Sequence, residues 1–151
     1  MVITVSDTRD LASDKSGQRA SELLIEAGHT VQAREIVVDD RAAIAELVRA
    51  AVSNPAIDAV VLTGGTGIAP RDVTYEAVEG ILDKTLHGFG ELFRSLSYAE
   101  IGSAAMLSRA IGGVVERTLV FALPGSTKAV ELGVRKLIAP ELGHMVGLLA
   151  P

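Results

Sequence analysis

Apolar positions in this chain come in two patterns. Short continuous blocks, Val2–Val5, "AIDAVVLT" and "TLVFALPG", are bounded by turn residues and read as strands buried on both faces of a parallel sheet. "TVQAREIVV" adds another strand. Between them, apolar residues recur at helical spacing. Ala20, Leu23, Leu24 and Ala27 share one face of a helix that Gly28 ends. Ile44, Leu47, Val48 and Ala51 share a second, which Asp39 or Asp40 can cap. Asn54–Pro55 marks a turn. Further helices are expected from about Thr74 to Leu82, in "ELFRSLSYAEI" after a break at Gly88–Gly90, and in "SAAMLSRAIGG", ended by its paired glycines. Val130, Val134, Leu137 and Ile138 line a last long helix, interrupted at Pro140 and followed by a short one. Strands alternating with helices predict an α/β layered domain with a mostly parallel central sheet. The first strand starts almost at the first residue, where fraying is expected. With no repeat, low-complexity tract or linker, residues 1–151 read as one domain.

Composition narrows the chemistry. Of the 151 residues, 48% are hydrophobic, enough for a core without disulfides, and there is no cysteine. A thiolate metal site and a thiol nucleophile are therefore excluded, and a cytoplasmic location suits the composition. Net charge is −5 with no basic stripe, and aromatics make up 3% with no tryptophan, so nucleic acid is not an expected partner. No leader-like N-terminal segment and no membrane-spanning apolar stretch is seen. His29, His87 and His144 lack ligand spacing, which disfavours a zinc enzyme, and no G-x-S-x-G supports an esterase triad.

In an open α/β sheet, ligands bind beyond the carboxyl ends of the strands. Small and acidic residues gather at these ends: Ser6 and Asp7 after the first strand, Asp39 after the second, Gly64, Gly65, Thr66 and Gly67 after the third, and Pro124, Gly125 and Ser126 after the last. Glycines admit positive φ and let amide N–H groups approach a phosphate closely. "GGTGIA" has neither the Walker nor the dinucleotide-binding spacing, so a cradle and a plain tight turn both remain open. Asp39 and Asp72 would repel each other and a phosphate unless a divalent cation such as Mg²⁺ lay between them. Alternatively, each simply caps the helix that follows it. Arg71 and Lys128 could neutralise phosphate charge or be solvated surface groups. Ser108 falls mid-helix in this reading, where a serine is commonly a tolerated small residue.

"TVSD", "DKSG", "TGGTGIAPRDVT", "GFGELFR", "LSR" and "LPGSTKA" stand in the order seen in the MoaB/MogA family of molybdenum-cofactor biosynthesis, which includes the gephyrin G domain. The resemblance runs from about Ile3 to about Leu142, and its details are closer to the MoaB branch. It implies a three-layer α/β/α fold assembled as a homo-oligomer, trimer or hexamer. It also implies that the terminal phosphate of molybdopterin attacks the α-phosphorus of Mg-ATP, giving adenylyl-molybdopterin and pyrophosphate, with a partner enzyme inserting the metal afterwards. The alternative within the family is a protein that binds pterin or nucleotide, or scaffolds the pathway, without turnover. The family's two functional aspartates fall on Asp39 and Asp72, which would hold Mg²⁺. Its nucleotide-contacting loops fall on Ser6–Asp7, Gly64–Gly67 and Pro124–Ser126, and its pterin-side serine on Ser108. Arg71, Thr74, Arg109 and Lys128 join Ser108 as expected pterin-side residues. The "PRDVT" block, degraded in family members that lack adenylylation, is intact, with Arg71, Asp72 and Thr74 all present. An apolar stripe including Leu92, Phe93 and Leu96 fits the expected assembly.

Overall fold

The structure is a computed structural model and describes residues 1–150. Strand β1 (Val2–Val5) leads into helix α1 (Lys15–Glu26), then β2 (Arg34–Val37), α2 (Arg41–Val52) and β3 (Ala59–Thr63). α3 (Thr74–Glu79), β4 (Lys84–Thr85), α4 (His87–Ile101), β5 (Ile111–Val115) and β6 (Thr118–Leu123) follow, and α5 (Thr127–Gly133) and α6 (Ala139–Leu149) close the chain. The strands form one sheet in the order β2-β1-β3-β6-β5-β4. β2, β1, β3 and β6 pair in parallel, whereas β5 and β4 add on antiparallel.

The continuous apolar runs are explained by burial on both faces. Val2, Val61, Leu119 and Phe121 point into a core shared with α1, α4, α5 and α6, while their neighbours Ile3, Val60, Leu62, Val120 and Ala122 pack on α2 and α3. Helices thus cover both sides, the expected three layers. β1 does not fray: it lies between β2 and β3 with all four residues buried, and the Met1 ammonium donates to the Ala59 carbonyl at 2.8 Å.

Four expectations are corrected. "SAAMLSRAIGG" is not a helix; it is a 3₁₀ turn over Gly102–Leu107, an extended Ser108, and then β5. Its paired glycines are strand positions crowded by neighbours. A Cβ on Gly112 would stand 2.7 Å from the Phe121 ring, and one on Gly113 would stand 2.7 Å from Leu82. Gly88 and Gly90 do not interrupt a helix but sit in the first turn of α4. Pro140 does not break the last helix. α5 passes through a π-helical turn, Val134–Ile138, and Pro140 takes a first-turn position of α6, where a missing N–H is harmless. The apolar stripe is also split: Phe93 is 1% exposed in the core, whereas Leu92 is 56% exposed, along with Tyr98, Ile101 and Met106.

Candidate functional site

The chain runs from β1 outward to β2 and then back across to β3, so the winding direction reverses between β1 and β3. At such a reversal the loops leaving the two strands diverge and leave a crevice. A cavity of about 410 Å³ opens there, lined by Ser6, Asp7, Asp39, Gly64, Gly65, Arg71, Asp72, Gly125 and Ser126, together with Val5, Thr8 and Arg9. Four loops separated in sequence therefore meet at one place.

The glycines have distinct tasks. Gly64 has φ +102° and Gly65 has φ +65°, a region that L side chains resist. A Cβ on Gly64 would come within 2.5 Å of the Val5 carbonyl, and one on Gly125 within 3.2 Å of the Gly64 Cα, so three loops touch backbone to backbone. The carboxylates bracket the glycine loop. A Cβ on Gly65 would lie 3.1 Å from Asp39 Oδ1, and one on Gly67 would lie 2.6 Å from Asp72 Oδ2.

Neither aspartate is a helix cap. Asp40, not Asp39, caps α2, its Oδ1 accepting from the Ala43 amide at 2.8 Å. α3 has no side-chain cap at all; Asp72 instead turns its Oδ2 to the Ala69 amide at 2.8 Å. The Asp39 amide donates to Asp7 Oδ1 at 3.0 Å, which ties the β1 loop to the end of β2. Burial, and then the Asp7 carboxylate, pushes the Asp39 carboxyl above its ordinary value; Asp72 adds to this and Arg71 opposes it. Three acidic groups thus share one crevice at an electrostatic cost that a cation would relieve. Among the described residues no set of three or more His, Cys, Asp and Glu is arranged to hold a metal alone. Mg²⁺ needs fewer protein ligands, taking one or two carboxylates with waters and phosphate oxygens. Asp39 and Asp72 could supply them, and Thr74 leaves its buried Oγ1 without a partner directly beneath Gly65.

Other expected site residues lie elsewhere. Ser126 lines the cavity while capping α5 through the Ala129 amide at 3.2 Å; Pro124 precedes it and Lys128 is exposed on α5, neither of them on the cavity wall. Thr66 and Thr74 are buried under the loop. Ser108 faces a separate cavity, on the far side of the loop. Arg109 is largely occupied by the protein. Its Nε donates to the Gly67 carbonyl at 2.8 Å and its Nη2 to the Asp72 carbonyl at 2.9 Å, while Nη1 meets Glu76 Oε1. This hydrogen-bonded pairing holds the Glu76 carboxyl below its usual range. The guanidinium also lies 5.2 Å from the centre of the Tyr75 ring. Arg109 is the clamp of the glycine loop.

Sequence reading missed Arg9, which joins Arg71 as a second cation on the wall, and the buried network beneath it. Arg9 Nη1 donates to Ser16 Oγ at 2.9 Å, which in turn meets Thr63 Oγ1 at 3.0 Å at the end of β3. Asp14 accepts from the Thr4 hydroxyl at 2.7 Å and from the Gly17 amide at 2.9 Å, and pairs with Arg34. The available signal was "DKSG", an N-cap aspartate three residues ahead of a glycine. A Cβ on that glycine would strike Asp14 and Thr4.

Fold and crevice together define a doubly wound α/β ligand-binding domain with an acidic, glycine-walled cleft at the reversal of its sheet. Residues 1–144 match the family described as "Probable molybdopterin binding domain". The chain is similar to molybdenum cofactor biosynthesis protein B of Bacillus cereus, 57% identical over 145 residues, which are 95% of this chain and 86% of the relative. A crystal structure of a molybdenum cofactor biosynthesis protein B superimposes with a TM-score of 0.96 at 56% identity, covering 98% of this chain and 92% of that one. The tungsten cofactor synthesizing protein MoaB from Pyrococcus furiosus gives a TM-score of 0.80 at 40% identity, over 98% of this chain and 94% of that one. The chain belongs to the MoaB/MogA family of molybdenum-cofactor biosynthesis. Among the described residues no helix is long and apolar enough to cross a membrane.

Proposed function

We propose that this protein adenylylates molybdopterin in the cytoplasm. The terminal phosphate oxygen of molybdopterin forms a bond to the α-phosphorus of ATP, the α–β phosphoanhydride bond breaks, and pyrophosphate leaves with the electron pair. The adenylylated product then passes to a partner enzyme for metal insertion. The observation that carries the proposal is the bracketing of one positive-φ glycine loop by Asp39 and Asp72, from separate chain segments, inside a single crevice.

The attacking phosphate is already anionic, so the reaction calls for no strong general base. Orientation and charge neutralisation supply the rate. The Gly64 amide is spent on the Leu123 carbonyl, which leaves the Gly65 amide on the cleft wall to suit a phosphate oxygen, and Arg9 and Arg71 place two guanidinium groups on the same wall. Asp39 and Asp72 would hold Mg²⁺, which when bound offsets triphosphate charge. Asp7 ties the end of β2 to the β1 loop through the Asp39 amide, which holds the Asp39 backbone at the cleft. Ser126 lines the same crevice.

Asp72→Asn tests this assignment with little change in volume. The substituted amide keeps an oxygen for the Ala69 N–H but loses the charge. The expected result is loss of adenylyl-molybdopterin formation from Mg-ATP, with fold and pterin affinity retained. Wild-type rates in the variant would refute the role, and wild-type protein that binds molybdopterin but yields no adenylylated product would refute the activity.

A further inference from the structure

Two arginines stand on the wall of the acidic cleft, and the protein holds them differently. Arg71 is exposed, and its side chain makes no hydrogen bond among the described residues. Arg9 is also exposed, yet it is held at both ends. Its backbone amide donates to Ser6 Oγ at 3.2 Å, and its Nη1 donates to Ser16 Oγ at 2.9 Å. Ser16 is 1% exposed, so an arginine on a surface loop has its tip anchored in the interior. Among the described residues no carboxylate pairs with Arg9, and its other guanidinium N–H groups meet no acceptor.

The anchor is itself braced. Ser16 Oγ lies 3.2 Å from Asp14 Oδ1 and 3.0 Å from Thr63 Oγ1. A hydroxyl has one proton and two lone pairs, and its three neighbours use all of them. A carboxylate only accepts, so the Ser16 proton goes to Asp14, and the lone pairs receive Arg9 and the Thr63 hydroxyl. Asp14 is ionised for this part. Burial opposes its charge, but the Gly17 amide, the Thr4 hydroxyl, Arg34 and Ser16 together hold its carboxyl below the ordinary value. Thr4 belongs to β1, Arg34 to β2 and Gly17 to α1, while Thr63 ends β3. Ser16 is thus the point where three parallel strands and one helix are bonded together. Both the hydroxyl and the carboxylate it serves are fully partnered, which makes the anchor rigid.

We infer that Ser16 is a positioning residue for the nucleotide: it presents the Arg9 guanidinium to the phosphate chain in one fixed pose, and Arg9, not Arg71, orients that chain in the cleft. An untethered arginine gives up rotamer freedom when it grips a phosphate, whereas Arg9 has given it up already. Its guanidinium is a planar fork, so one N–H can stay on Ser16 while others meet phosphate oxygens. Ser16 touches no substrate; it acts through Arg9, and the buried Asp14 acts through Ser16. The identity of the ligand rests on the adenylylation reading.

The test uses the whole protein and a double-mutant cycle of Ser16→Ala and Arg9→Ala. Calorimetry gives Kd for Mg-ATP, and the fluorescence of molybdopterin gives Kd for the acceptor. Arg9→Ala should weaken Mg-ATP binding by about tenfold or more, the effect of losing one charge-assisted contact. Ser16→Ala keeps Arg9 but frees it, and should weaken Mg-ATP about fivefold, roughly the cost of ordering one long side chain. In the Arg9→Ala background the same Ser16→Ala change should cost no more than about twofold, since the group it positions is gone. Arg9→Lys keeps the charge but offers one nitrogen for both tasks, so it should fall between wild type and Arg9→Ala. Kd for molybdopterin should stay within about twofold throughout. Wild-type affinity for Mg-ATP in Arg9→Ala, or in a folded Ser16→Ala protein, overturns the inference. So does an equal loss from Ser16→Ala in both backgrounds, the mark of a merely structural role, or a parallel weakening of molybdopterin. Should Ser16→Ala fail to fold, Arg9→Lys decides, and wild-type affinity in it overturns the fixed fork. Wild-type protein that binds Mg-ATP without adenylyl transfer defeats the adenylylation reading and leaves the cycle decisive. Wild-type protein that does not bind Mg-ATP at all overturns both.

Discussion

Replacing Arg109 by lysine should loosen the glycine loop without unfolding the sheet. The guanidinium reaches three loop carbonyls, Gly67 at 2.8 Å, Asp72 at 2.9 Å and Thr66 at 3.4 Å, and also pairs with Glu76. A lysine ammonium keeps the charge but cannot span that arc, so about two carbonyl bonds are lost. Hydrogen bonds from charged donors contribute about 1.5 kcal/mol each at the low end, giving roughly 3 kcal/mol. The ion pair adds little: both side chains are partly exposed, and such pairs contribute about 0–1 kcal/mol. A loss of roughly 3 kcal/mol is about a hundredfold change in the opening equilibrium of the loop. Hydrogen exchange reads it directly. The amides of Asp72 and Thr74, bonded within the loop to Ala69 and Gly65, should exchange about a hundredfold faster. The Gly64 amide, bonded to Leu123 across the sheet, should not change. Glu76→Gln spares the carbonyl bonds and should accelerate exchange by no more than about fivefold. If Arg109→Lys leaves the Asp72 and Thr74 amides as protected as in the wild type, the clamp is refuted. If Glu76→Gln matches it, the ion pair rather than the fork holds the loop.

Asp39→Asn carries a pH signature. A raised folded-state pKa means that the folded chain holds this proton more tightly than the unfolded chain. The contribution to stability is full below the ordinary value of 3.8 and lost as pH rises through the raised value. Ionised Asp39 therefore destabilises the ligand-free protein at neutral pH, so Asp39→Asn should melt above the wild type at about pH 7 and converge with it toward about pH 3, while gaining less from Mg-ATP. A variant that melts below the wild type at neutral pH would contradict this. For assembly, Leu92, Tyr98, Ile101 and Met106 expose 56%, 65%, 58% and 74% of their surfaces within one helix and the turn after it. The protein should sediment as a trimer or hexamer at micromolar concentration, and Leu92→Glu should shift it toward monomer; a wild-type monomer would rule this out.

The parallel half of the sheet was legible because both of its faces are buried. Residues such as Val60, Val61 and Leu62 then need no polar alternation, and a run of β-branched and aliphatic residues between turn signals has few other uses. The cleft was legible for a related reason: once strands alternate with helices, every strand end is a candidate wall, and small or acidic residues stand out there. What stayed hidden depends on partners rather than pattern. β5 read as the end of a helix because glycine signals a stop from sequence alone, whereas Gly112 and Gly113 answer to Phe121 and Leu82, which only tertiary structure brings close. Leu92 and Phe93 look equivalent in a stripe, yet adjacent helical positions point about 100° apart, so one enters the core and its neighbour meets solvent. Asp39 and Asp40 are chemically identical candidates for one cap. Asp40 takes it because its extended backbone (φ −126°, ψ 126°) sets its carboxylate on the Ala43 amide. That leaves the Asp39 carboxylate uncommitted beside Gly65, so in this loop the choice of cap decides which aspartate faces the cleft.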